Sequence, residues 1–235
     1  SIGSEQEVKE FRNLIFSYFC YLVTDILWAL MQSGMLQVMH GVCAFINMAS
    51  VISITMSCYY WYRYVETRLR FERYGKKYTK IFTNLIVLFL FVFNIISMFT
   101  GWVFYIDTEG HYHAGAYYLI QLIGDYILVI IPCLIAINGI FKTKSRILRS
   151  EYKIYTLYIL IPLFTTLLEN TIPKVPVLAL NIFFVIHLIF LTIHRKQIYN
   201  DSLTGLKNRR CLNQYMEEQE KNISAEHPLA VFMID

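Results

Sequence analysis

Four side chains able to carry charge, proton or hydrogen-bond chemistry stand inside long apolar runs of this 235-residue chain: Asp25, His40, Asp125 and Asn181. An ionisable group in such a run is costly, and it faces a bundle interior or a wet cavity. Two carboxylates, an imidazole and an amide would suit a small polar or cationic ligand, and they form the candidate ligand pocket. The competing reading is that they join helices through hydrogen bonds, a routine use of such residues. Glu169 stands at the rim of the same group, and His187, alone in an apolar stretch, reads as structural. The segment Asp107-Thr-Glu-Gly-His-Tyr-His113 brings two imidazoles and two carboxylates together, a set able to hold a transition metal. A lone His-x-His in a loop is weak evidence, and the segment reads first as solvated loop. Asp235 ends a short apolar run, where an aspartate taken by itself reads as a turn residue.

The elements that must position these groups are membrane-like. Hydrophobic residues make up 56% of the chain and charged residues only 16%, too apolar for an ordinary water-soluble domain. Four of the five cysteines (Cys20, Cys43, Cys58, Cys133) lie in apolar runs, which is no disulfide framework. About 20 apolar residues are needed to cross roughly 30 Å of hydrocarbon. Six stretches qualify, at about 14–31, 35–61, 81–106, 117–141, 154–168 and 175–193. The fifth is the weakest, being short and carrying Pro162. Pro132 and Pro162 predict kinks rather than breaks, since proline is tolerated in membrane helices. The chain begins with Ser rather than Met, so a seventh span ahead of it stays open.

Lysine and arginine in short loops set orientation. After the second stretch come Arg63, Arg68, Arg70, Arg73, Lys76, Lys77 and Lys80, and after the fourth come Lys142, Lys144, Arg146, Arg149 and Lys153. The opposite loops hold only Lys174. Both basic loops are therefore expected in the cytoplasm, with both ends of a six-span, multi-pass cell-membrane bundle on that side. The basic loops read as topology determinants in contact with the lipid bilayer. Nothing resembles a recognition helix or a base-stacking platform, which argues against nucleic acid as a partner. Trp28, Trp61 and Trp102 are expected at the membrane interfaces.

The expected organisation is a transmembrane sensor domain over residues 1–193, a helical linker over 194–200 and the start of a further domain over 201–235. That last segment opens Asp201-Ser-Leu-Thr-Gly-Leu-Lys-Asn-Arg-Arg210. Asp201, Ser202 and Thr204 are turn formers, Gly205 permits φ > 0, and Asn208 is a good N-cap. Cys211, Leu212, Tyr215 and Met216 then recur at helical spacing, predicting a helix that ends near 222–224. Leu229-Ala-Val-Phe-Met-Ile234 comes next as a buried strand. Turn, helix and strand make the opening of an α/β fold.

This segment resembles the N-terminal edge of the GGDEF domain of diguanylate cyclases, which open Asp-x-Leu-Thr-Gly-Leu-x-Asn-Arg-Arg. Asp201, Leu203, Thr204, Gly205, Leu206, Asn208, Arg209 and Arg210 match residue for residue, and Pro228-Leu229-Ala230 leads to Asp235 at the family's usual interval. The resemblance covers residues 201–235 only. It implies that Asp235 is the first metal-binding aspartate, with Mg²⁺ as the cofactor. It also implies that the full-length protein, as a homodimer, joins two GTP into cyclic di-GMP. The Gly-Gly-Asp/Glu-Glu-Phe loop and the other nucleotide-binding residues lie beyond Asp235, so no catalytic residue falls in this segment and it should be inactive alone. Three functions are expected, in order: a membrane receptor coupled to a diguanylate cyclase, a receptor whose degenerate GGDEF domain binds nucleotide or a partner, and a transporter. Against the last stands the lack of visible inverted repeats.

Overall fold

A computed structural model describes residues 5–69, 76–107, 112–143, 149, 152–156, 183–184, 186–187, 190, 206 and 208–220. The chain divides into two compact units, one spanning Glu5–Ile186 and the other His187–Asp235 with Ser1–Ser4. In the larger unit α1 (Glu5–Gln32), α2 (His40–Leu69) and α3 (Lys76–Thr100) precede a two-stranded hairpin, and α4 (Tyr118–Lys142) follows it. All four helices are long and apolar enough to cross a membrane. Of the fifth and sixth expected spans only a few positions are described, including a helical stretch over 152–156. The linker 194–200 and the expected strand before Asp235 lie outside the described residues.

The bundle exposes large apolar side chains and buries polar groups beside its apolar core, unlike a water-soluble protein. On α3, Phe82, Leu85, Leu88 and Phe99 are exposed while Thr83, Asn94 and Ser97 are buried. Large contiguous apolar surface is not left to water, and a bilayer requires polar groups to be satisfied inside. This is the character of a membrane protein.

Helices α1 and α2 run antiparallel. Glu7 of α1 pairs with Arg68 of α2, Glu10 with Arg63, and the Ser57 hydroxyl donates to Ser17 Oγ at 3.2 Å. Arg63 and Arg68 were expected in a loop, but α2 continues through Leu69 and carries both. The helix outlasts its apolar stretch because Glu7, Glu10 and Glu66 neutralise the two guanidinium groups. Trp61 also departs from expectation. It is only 1% exposed and packs its ring 5.8 Å from Tyr155 and 6.3 Å from Tyr64. An interfacial tryptophan needs a wet edge, and this one is inside an aromatic cluster that Phe11 completes, 5.5 Å from Tyr64.

The third expected span, 81–106, is cut short. Gly101 at φ 70 ends α3 after Thr100, in the left-handed conformation that glycine adopts freely. The Ser97 hydroxyl accepts the amides of Val103 at 2.8 Å and Phe104 at 3.2 Å, satisfying donors that leave the helix. The chain then forms β1 (Phe104–Ile106), paired antiparallel with β2 (Tyr112–Ala114) in the register Phe104↔Ala114, Tyr105↔His113, Ile106↔Tyr112. At the far end a Cβ on Gly115 would lie 2.3 Å from the carbonyl oxygens of Gly101 and Trp102, so no larger residue fits. The hairpin is thus clamped over the bundle, with Ile106 packed on Cys43 and Ala44, and Phe104 and Val103 packed near Met48 and Val51.

In the second unit, α5 (Arg209–Glu220) bears out the expected N-cap. Asn208 Oδ1 accepts the amide of Cys211 at 3.1 Å, and the Asn208 carbonyl accepts that of Leu212. On its apolar stripe Leu212 is 50% and Tyr215 56% exposed, a face of the kind that a neighbouring layer covers.

Candidate functional site

Of the groups expected to form one pocket, His40 and Asp125 lie at different levels of the bundle. His40, the first residue of α2, hydrogen-bonds the Ile106 carbonyl at 3.1 Å and fastens the hairpin to the helix start. Asp125 on α4 accepts a bond from Gln121, which is also bound to Thr55 of α2. His40 and Thr55 are fifteen residues apart on one helix, about 22 Å at 1.5 Å per residue. Asp25 sits on α1 with a hydrogen bond from Tyr21, one turn before it. Asn181, the fourth member, and Glu169 lie outside the described residues. His40 is thus taken up by the hairpin at the start of α2, while Asp125 joins a polar cluster farther along it.

The structure instead builds a site around Gln121, which no motif in the sequence singles out. Gln121 is 2% exposed and joins three helices. Its Nε2 donates to Thr55 Oγ1 of α2 at 2.8 Å and to Asp125 Oδ2, one turn along α4, at 2.8 Å. Its Oε1 accepts from Asn94 Nδ2 of α3 at 2.6 Å. Asn94 is fully buried and its amide also donates to the Leu90 carbonyl at 2.8 Å. The Thr55 hydroxyl donates to the Val51 carbonyl at 3.1 Å and stands near Asp125 as well. Asn94 Oδ1 and Asp125 Oδ1 are buried with no hydrogen-bond partner among the described residues. The approach of α3 to α4 depends on Gly124, where a Cβ would come within 2.8 Å of both Leu90 methyl groups. Small residues permit such close helix packing in membranes. Asn94 and Gln121 were findable as amides in otherwise apolar spans, Gln121 at the helical four-residue interval before Asp125. Only their mutual contact was hidden.

The hairpin settles part of the His-x-His question. His113 pairs with Asp107, Nε2 to Oδ2 at 2.9 Å, and its ring stacks on Tyr105 with centroids 5.1 Å apart. Among the described residues no group of three metal-ligating side chains converges, while Glu109 and His111 lie outside them. Tyr112, behind this pair, has its phenol pushed up to about 12, first by burial and then by the neighbouring Tyr118.

Of the family-signature positions, Asn208, Arg209 and Arg210 form the cap and first turn of α5, and Leu206 is exposed ahead of it. Asp201, Leu203, Thr204, Gly205 and Asp235 lie outside the described residues. No protein-family model, curated protein or solved structure matches this chain.

Proposed function

We propose that this chain is the multi-pass membrane receptor part of a signalling protein, with its 201–235 segment opening a cytoplasmic GGDEF domain that makes cyclic di-GMP from two GTP. The observation that carries the reading is the eight-residue agreement from Asp201 to Arg210, followed by a capped amphipathic helix over Arg209–Glu220. In this reading Asp235 contributes to a Mg²⁺ site, and metal ions lower the barrier to phosphoryl transfer by neutralising charge on the phosphate oxygens. The catalytic halves belong to two copies of the protein, and a signal held in the bundle favours one dimer arrangement over another. Twelve lysines and arginines in the two basic segments, against one on the opposite side, support a cytoplasmic location for those segments.

The test is to read the coding sequence past Asp235 and assay the full-length product for GTP turnover with Mg²⁺. An intact Gly-Gly-Asp/Glu-Glu-Phe loop with product formation sustains the reading. A different continuation, or an intact loop with no product from a folded dimer, sinks the enzyme.

A further inference from the structure

The polar centre of the bundle offers a guest only one kind of contact, as a count of its protons shows. Both N–H groups of Gln121 are spent, on Thr55 and on Asp125. Both N–H groups of Asn94 are spent, on Leu90 and on Gln121. The single hydroxyl proton of Thr55 goes to the Val51 carbonyl or to Asp125. What remains is acceptor. Asn94 Oδ1, on a side chain with 0% exposure, and Asp125 Oδ1 have no hydrogen-bond partner among the described residues. With Asp125 ionised, an anion or a ligand presenting only acceptors finds no donor among these side chains. A buried carboxylate is strongly unfavourable without a counter-charge. Among the described residues Asp125 has no ion pair, while Arg63 and Arg68 are engaged by glutamates at the bundle's basic end.

We propose that the Asn94–Gln121–Asp125 cluster is a binding site for a small monovalent cation, an alkali-metal ion or a protonated amine. Asp125 supplies the counter-charge, Asn94 Oδ1 a further acceptor, and Gln121 is hydrogen-bonded to both side chains. Both sources share positive charge and a need for oxygen acceptors. The site goes beyond the receptor reading by naming a ligand class for the bundle itself. It is independent of any catalytic domain.

The 235-residue chain in lipid nanodiscs tests it through thermal unfolding at constant ionic strength. Choline chloride, too bulky and without N–H donors, is replaced stepwise by sodium, potassium or methylammonium chloride. At roughly a hundredfold excess over Kd the Tm should rise by about 5 °C. A rise with sodium or potassium identifies an alkali-metal site, and a rise with methylammonium alone identifies an amine site. The rise should vanish in Asp125→Asn. Equal Tm in all four salts, or the same rise in Asp125→Asn, overturns the proposal. Should that variant not fold, Asn94→Leu carries the test through concentration: the same rise in Tm should need about tenfold more salt, and an unchanged concentration dependence overturns the proposal. Cation binding and GTP turnover are read separately, so either can fail without the other.

Discussion

The basic end of the bundle and its polar centre bury carboxylates in the same apolar surroundings but treat them differently. At the basic end Glu7, Glu10 and Glu66 are 8%, 4% and 3% exposed, and guanidinium groups answer them. Arg68 reaches Glu7 at 2.6 Å, and Arg63 spans Glu66 at 2.6 Å and Glu10 at 3.5 Å. Gln6 adds a further hydrogen bond to Glu10. At the centre Asp125 is met by the Gln121 amide and the Thr55 hydroxyl, both neutral, and its Oδ1 has no partner among the described residues. Ion pairs of opposite charge fix how two helices sit. A carboxylate with no ion pair among the described residues leaves a counter-charge to be supplied by something that arrives. The contrast separates architecture from function more sharply than burial does.

The comparison breaks most readily at Arg63. Replacing it with Ala strands Glu10 and Glu66 in the interior, and breaking a buried pair this way costs about 3–5 kcal/mol. A fall in Tm on the order of 10 °C in nanodiscs is expected. A fall no larger than that of a centre variant would show that the basic end is not what holds α1 to α2. Gln121→Leu comes next. It removes bonds to three helices, but hydrogen bonds inside membrane proteins are individually modest, so about 1–2 kcal/mol is expected from the same melts. Asp125→Asn should raise the Tm in choline, because the carboxamide keeps the bond from Gln121 and removes a buried charge that has no ion pair among the described residues. The same variant should lose the response to small cations.

The hairpin supplies the smallest effect and a pH axis. The Tyr112 phenol, held at about 12 in the fold, ionises near 10 once unfolded. Its neutral form is the one that packs, so its contribution is complete below pH 10 and is lost as pH rises from 10 to 12. Melts of wild type should lose stability more steeply over that range than melts of Tyr112→Phe. Equal slopes would place the alkaline sensitivity elsewhere in the chain.

Much of the local structure was legible in order along the chain. The fourth helix was expected at 117–141 and runs Tyr118–Lys142, since a long apolar run bounded by polar segments has few other options in lipid. Asn208 was recognisable as a cap because its short side chain reaches an amide three residues on. The third helix ends earlier than expected because apolarity continues past Gly101 through Trp102, Val103 and Phe104, and those residues are equally at home in a strand. Hydropathy measures burial, and a clamped hairpin buries side chains as a helix does. His40 binds the hairpin rather than the Asp125 cluster for a related reason: depth along each span was readable, but which faces meet was not.

Helix content, the apolar exterior, the sign of charge at each end of the spans and the motif from Asp201 to Arg210 were determined by the sequence alone. Each depends on residues near one another in the chain, through periodicity, desolvation or local hydrogen bonding. The tertiary structure decided which polar side chains share a site. Gln121 meets Thr55 and Asn94 across 66 and 27 residues, and Trp61 turns inward to Tyr155. Such contacts depend on helix rotation and crossing, which small residues such as Gly124 and many weak packing terms set together. No local window of sequence contains that sum.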